Sequence, residues 1–498
     1  MDAWLILQIN FLDSRDVMSD HFGVSKLSFL ATALVLTALC LIAVATASSG
    51  GKSGNEIAIG PSVTATLPRP AAATATSAPP PFLTPAATPE PGREGPETTL
   101  VEVDSKRTLR LWEPGTIVRD TVFSPDGHWL YFTRFDRDKG ACAASLYRID
   151  LHSAALLAQR ITSGFGLAIS SQGYIAFERC ESNDSETLHL LLPNGEIRDL
   201  LAPGNWFSVR WSPDGRWLTY SSPYLGDGVA MPQTIIDTQS WHERTFATTL
   251  PCNCDGGPVA IWAPDSNHFV YTSLLGRPPG ETSATSLYDP KTLAHSPAPM
   301  ALQWIGLNQY LGLELSEQGR QADYFVFDIE TGTRSPIPGQ ATPASNSSLL
   351  AVPGSGPSTN RVSLDGVEIV TGLQGFQPQW SPDSAYLATI AQQSDCGTAV
   401  LVYGADGRYL SCGSLGNTGA RNAPSFSPNS KSLAYLHTSW LENPPRSSAT
   451  PMTSDLFVID MASGSETRLA SDLRGSSVSC VIWSPDSRYL VAGTCSGF

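Results

Sequence analysis

Asp126, Asp214, Asp265, Asp383 and Asp486 share one local setting, each directly after a proline and shortly before an apolar stretch. Carboxylates repeated along a chain could do acid-base work if one were held protonated and another ionised. Their shared setting argues for a different role. An aromatic residue, then Ser or Ala, Pro, Asp, and Gly or Ser describes a tight turn: Ser bonds the backbone ahead, Pro presets φ, Asp tolerates the bridge conformation, and Gly accepts the left-handed position.

The other reactive side chains form no recognisable constellation. The 8 histidines show no His-x-His or His-x-x-x-His spacing, and His128, His268 and His437 fall in or beside strands where packing is the expected role. No calcium-loop pattern occurs. Cys252-Asn253-Cys254 reads as a strained local bridge or a metal fragment without a nearby histidine. Gly354-Ser355-Gly356-Pro357-Ser358 has the wrong register for a hydrolase elbow. Neither a catalytic centre nor a cofactor is expected. A net charge of -15 and the absence of a basic run exclude a phosphate-tracking surface, and with it nucleic acid as a partner.

The turn recurs as Phe123-Ser124-Pro125-Asp126-Gly127, Trp211-Ser212-Pro213-Asp214-Gly215, Trp262-Ala263-Pro264-Asp265-Ser266, Trp380-Ser381-Pro382-Asp383-Ser384, Phe426-Ser427-Pro428-Asn429-Ser430 and Trp483-Ser484-Pro485-Asp486-Ser487. A worn copy is Ile169-Ser170-Ser171-Gln172-Gly173. After each comes a short strand that alternates as a half-buried strand should, then a strand such as SLYRIDL, YFVFDIETG, AVLVYGADG or DLFVIDMASG, then a more polar fourth. Four antiparallel strands per repeat is the blade of a β-propeller.

Between Pro264 and Pro382 the turn motif is lost, although the strands there still suggest degenerate blades. The last unit has two strands, and residues 98–115 supply two more, so the termini are expected to share one sheet and close the ring. Counting units gives nine; closed rings commonly hold four to eight blades. The expected fold is therefore all-β, a single propeller over 98–498 of eight blades, with seven or nine as alternatives.

These residues resemble the TolB-like propellers with WD-repeat-like blades, whose signature is the WSPDG turn followed by an aliphatic strand. The resemblance covers about residues 99–498. It implies a protein-interaction platform in the bacterial envelope; related blades also cap peptidases of the prolyl oligopeptidase class. The degenerate middle blades, the additional cysteines and the N-terminal region depart from that pattern.

Ahead of the repeats, Leu27–Ala47 carries no charge and is long enough to cross a bilayer, with Lys26 on its N-terminal flank. Ala43-Val44-Ala45 and Ala45-Thr46-Ala47 also suit a signal peptidase, so an anchor and a cleaved signal compete. Residues 1–26 form a short cytoplasmic tail in the anchored reading, and Met18 is an alternative start. Residues 48–97, rich in Pro, Thr and Ala, cannot bury enough apolar surface to fold and read as a stalk.

An extracytoplasmic propeller sits in an oxidising compartment, where disulfides form among Cys142, Cys180, Cys252, Cys254, Cys396, Cys412, Cys480 and Cys495. Closeness in the repeat frame suggests pairing 142 with 180, 396 with 412 and 480 with 495. Long loops carry Tyr224, Arg277, Trp440 and Arg446, residue types that dominate interfaces. The expected function is a monomeric, non-catalytic scaffold binding a protein or cell-envelope partner through its loop face. The alternative is a carbohydrate or small-ligand receptor using the central channel, with a propeller lactonase or lyase as a more distant one. For the N-terminal segment, the expected outcome is that the mature protein partitions with membranes and retains Leu27–Ala47; N-terminal sequencing that begins at Ser48 contradicts this.

Overall fold

The computed structural model describes residues 98–493 apart from stretches within connections, the longest being 222–230, 250–259, 274–283, 353–359, 417–423 and 441–451. All of them belong to one compact unit, Pro80–Phe498. The tail, the Leu27–Ala47 segment and the 48–97 stalk lie outside the described residues. No helix among the described residues is long and apolar enough to cross a membrane.

The described strands form nine four-stranded sheets, all with antiparallel pairing. In blade 1 the strands are Thr116–Phe123, Trp129–Asp136, Ser145–Asp150 and Ala158–Ser163, hydrogen-bonded in chain order. Blades 2 to 8 repeat this over 165–203, 210–249, 260–297, 300–337, 342–373, 376–414 and 425–474. Blade 9 joins Cys480–Trp483 and Tyr489–Gly493 to Thr99–Glu102 and Thr108–Arg110 from the other end of the chain. Its register sets Thr99 against Ala492, Leu100 against Val491 and Val101 against Leu490. The shared closing sheet was expected, whereas the expected eight blades are one fewer than the nine sheets; counting the units literally gives the number found. The degenerate middle units retain complete sheets, with Gln309–Leu315 paired to Ala322–Asp328 and Leu349–Val352 paired to Asn360–Leu364.

First strands of successive blades touch one another, as Thr116–Phe123 touches Phe165–Ile169 and Ser425–Phe426 touches Cys480–Trp483. They therefore surround the axis. Fourth strands such as Ala158–Ser163 and Arg334–Ile337 carry mostly exposed or half-buried residues and form the rim.

The middle strands depart from the half-buried expectation. Tyr489–Gly493 is buried at every position, and Gly397–Gly404 has a run of five buried residues. A blade between two neighbours has no solvent face, so both faces of its inner strands are covered. Leu100, Tyr489 and Val491 of blade 9 pack with Val118, Phe123 and Leu130 of blade 1, while Leu146 of blade 1 packs with Leu167, Ile175 and Phe177 of blade 2.

The hairpin between first and second strands is built as the motif suggests. In blade 3 the Ser212 N–H donates to the Trp217 carbonyl at 2.8 Å and the Gly215 N–H to the Ser212 carbonyl at 2.8 Å. Gly215 takes φ +72, and a Cβ there would lie 2.8 Å from Ser171 Oγ and 2.9 Å from Gln172 N of blade 2. Gly195, φ +86, is the contrast, because a Cβ would meet nothing within 4 Å. Gly195→Ala should cost about 1 kcal/mol through backbone conformation alone, and Gly215→Ala about 2–4 kcal/mol because the clash with blade 2 is added. Chemical denaturation of the two variants checks the order, and equal losses contradict the close approach of the blades.

Candidate functional site: two unlike ends of the propeller

Each first strand runs into a short hairpin, so these hairpins gather at one end of the molecule together with the turns joining third to fourth strands. At this end the aspartates singled out above are engaged. The Ser212, Ser381 and Ser484 hydroxyls each donate to the Asp two residues on at 2.6 Å and accept the backbone N–H five residues on at 2.8–2.9 Å. The same aspartates accept the N–H of Arg216, Ala385 and Arg488 at 3.0–3.1 Å. In blade 1 the Ser124 hydroxyl, followed by the His128 N–H, holds the Asp126 carboxyl below its ordinary range. These carboxylates are acceptors for their own turns, which removes the acid-base ring as a reading.

Successive turns are also tied to each other. Ser266, Ser430 and Ser487 occupy the left-handed position with φ of 60–62°. Their hydroxyls accept the backbone N–H of Asp214, Asp383 and Asn429 in the preceding blade at 2.9, 3.0 and 3.3 Å. Where the third blade has Gly215 instead, Gln172 of blade 2 makes the link by donating to the Asp214 carbonyl at 2.8 Å.

The aromatic before the turn crosses the same seam. Trp211, Trp304 and Trp483 donate Nε1–H to the carbonyls of Ala168, Ile261 and Ser425, at 3.0, 3.0 and 2.8 Å. Each carbonyl belongs to the first strand of the preceding blade. Trp304 lies in the stretch where the proline-aspartate motif is lost. An aromatic at the end of the strand just before QYLGLEL was the surviving signal there.

The opposite end holds the connections from second to third strands and from one blade to the next. The longer stretches, including 222–230, 250–259, 274–283 and 441–451, all fall in these connections. Cys142 and Cys180 form a disulfide with Cα atoms 5.3 Å apart, joining the second-to-third connection of blade 1 to the end of the second strand of blade 2. Cys412 and Cys480 are also disulfide-bonded. Their partners, and Cys252, Cys254, Cys396 and Cys495, lie outside the described residues.

Among the predicted interface residues, Tyr224, Arg277 and Arg446 lie outside the described residues. Trp440 was expected in a loop starting at His437, but it ends the strand Ser432–Trp440, its backbone set against Met452. The strand extends because His437 and Thr438 find partners at blade 7: His437 Nδ1 lies 2.9 Å from the Ser414 carbonyl, and Thr438 donates its N–H to the Leu415 carbonyl at 3.0 Å.

Near the axis, first strands in blades 1, 2, 5 and 7 are interrupted by register shifts, as between Val118 and Thr121. In blade 1 the shift leaves Arg119 exposed and Asp120 buried. Asp120 Oδ2 accepts the Thr133 hydroxyl at 2.7 Å and the Gly166 N–H of blade 2 at 2.9 Å. Close by, Glu178 is buried, with 8% exposure. Burial first, and then the Glu186 carboxylate beside it, push the Glu178 carboxyl up to about 8, against the pull of Arg119. Glu178 is therefore held in its protonated form at neutral pH, a feature with no motif in the sequence because Glu178 and Glu186 come from different strands. Among the described residues no group of three or more His, Cys, Asp or Glu could hold a metal ion.

The arrangement defines a β-propeller with a hydrogen-bonded turn end and a disulfide-pinned loop end. No protein-family model matches the chain, and no curated protein matches it. Several solved structures are similar. TolB from Acinetobacter baumannii is 14% identical with a TM-score of 0.28, over 59% of this chain and 62% of that one. The propeller domain of the trilobed protease from Pyrococcus furiosus is 13% identical with a TM-score of 0.38, over 72% of this chain and 97% of that one. Dipeptidyl peptidase 4 from Porphyromonas gingivalis is 12% identical with a TM-score of 0.47, over 71% of this chain and 59% of that one. The matched region thus spans less than two thirds of the TolB and dipeptidyl peptidase chains. The propeller assignment rests on the sheet order and the shared closing blade.

The Glu178 proton has a pH signature. With the carboxyl at about 8 in the folded protein and 4.5 as its ordinary value, the native state keeps a proton that the unfolded chain releases between those limits. Stability should therefore fall as pH rises from about 5 to 8. Glu178→Gln, which keeps a donor but does not titrate, should flatten that slope in thermal melts. An unchanged slope contradicts the raised Glu178 carboxyl.

Proposed function

We propose that the chain is a non-catalytic propeller scaffold that binds a protein or cell-envelope partner through its loop end, outside the cytoplasm. In this reading residues 27–47 hold it at the membrane and 48–97 extend it outward. The difference between the two ends is the observation that supports the reading. At the turn end polar groups are engaged in turn and cross-blade hydrogen bonds. At the loop end the longer connections gather, and there the Cys142–Cys180 disulfide braces neighbouring blades. Rigid strands that carry variable connections at one end are the usual way a β-fold presents a binding surface.

A second reading, a small ligand held in the channel, is favoured by Arg119, exposed on an inner strand. Purified protein used as bait on envelope extract separates the two. Replacing Tyr224, Arg277, Trp440 and Arg446 together with Ala should lower capture of a partner at least tenfold, while Arg119→Ala should leave it unchanged. The converse pattern favours the channel and contradicts the loop end.

A further inference from the structure

We propose that the cleft where blade 9 meets blade 1 is a binding site for a small oxyanion, a carboxylate or phosphate, which clamps the closing blade. This inference is independent of the loop-end reading. The cleft has a volume of about 240 Å³ and lies at the turn end. Three separate pieces of chain line it. Glu102 and Arg107 come from the N-terminal hairpin, Arg488 and Tyr489 from the C-terminal hairpin, and His152 and Ser153 from the third-to-fourth turn of blade 1.

Two hydrogen bonds across the seam set the walls. The Tyr489 hydroxyl donates to the Leu151 carbonyl at 2.8 Å, and Arg107 Nη1 donates to the Ala154 carbonyl at 2.7 Å. Arg107 is thus aimed into the seam with one nitrogen engaged, and a guanidinium has five N–H donors.

Arg488 lies 3.7 Å from Glu102 Oε1, too far for a hydrogen bond. Glu102, the one carboxylate lining the cleft, accepts the Ser105 hydroxyl on Oε2 at 2.7 Å, while the Tyr489 oxygen, whose proton goes to Leu151, lies 3.4 Å from Oε1. Beyond the lining, His128 pairs with Asp150 at 3.1 Å and lies against His152. Among the lining side chains two guanidiniums stand against one carboxylate, while beyond them Asp150 pairs with His128 and Asp486 is engaged by its own turn, in a chain of net charge -15. Planar guanidinium forks match a carboxylate or phosphate. The volume is below that of pockets for larger ligands, about 300–1,000 Å³.

The location gives binding a consequence. Among the described residues blade 9 is the one sheet built from both the first and the last strands of the propeller, so the ring is held there by pairing between strands far apart in the chain. An ion that bridges Arg107 and Arg488 ties the N-terminal hairpin to the C-terminal one. It binds the closed ring and not the unfolded chain, and so stabilises it by mass action.

Thermal denaturation of the purified full chain tests this, with inorganic phosphate in one arm and acetate in the other, each against chloride at matched ionic strength. The expected result is a saturable rise in Tm in at least one arm, with Arg107→Ala and Arg488→Ala each weakening the apparent affinity at least tenfold. Arg468→Ala, in blade 8 beside Asp455, should retain the full response. A response in phosphate alone identifies a phosphate site, and one in acetate alone a carboxylate site. A rise that never saturates, or that is equal in all variants, is a general salt effect and overturns the proposal. Should the Arg variants fail to fold, isothermal titration of the wild-type chain with phosphate and with acetate decides: binding heat in neither overturns the site.

Discussion

A buried serine hydroxyl serving two partners holds this architecture in place. In each well-kept hairpin it donates to the aspartate, or to Asn429 in blade 8, and accepts the N–H that starts the next strand. A buried hydroxyl that lost these bonds would cost about 1–3 kcal/mol. Satisfying it brings first and second strands together with one register. That register aims the preceding aromatic at the next seam, where Trp211 and Trp483 find carbonyls in the blade before. The turn is therefore a joint between blades as well as between strands.

The same joint explains why serine replaces glycine in later blades. A left-handed backbone costs an L-residue about 1–2 kcal/mol. At Ser266, Ser430 and Ser487 the hydroxyl gains an N–H from the neighbouring turn, which offsets much of that cost. At Gly215 there is no room for such a side chain, because Ser171 and Gln172 stand too close. Glycine and serine at one motif position are thus two solutions to one requirement, chosen by what the preceding blade presents.

Engaging polar groups at one end also divides the molecule by role. The turn end has little freedom to vary without loosening seams, whereas the loop end can accept different connections on the same strands. The seam between blades 9 and 1 is an exception at the turn end. The first and last hairpins of the propeller meet there, and Arg107 and Arg488 line one cleft between them.

What the sequence by itself determined is what depends on residues a few positions apart. The serine-proline-aspartate turn, the strand that follows it, and the pairing of 98–115 with the C-terminal hairpin all follow from local bonding capacity and strand count. Counting units in the sequence reached nine, but that the degenerate units form complete sheets needed the tertiary structure, because blade 5 keeps its place through Trp304 reaching Ile261 and not through a turn motif. Burial on both faces of the inner strands also depends on neighbours absent from any local pattern. Trp440 became a strand residue because His437 and Thr438 bond to blade 7. The raised carboxyl of Glu178 beside Glu186, and the cleft at the closing seam, arise where separate strands or distant segments of the chain are brought within a few ångströms, a proximity that spacing along the chain does not encode.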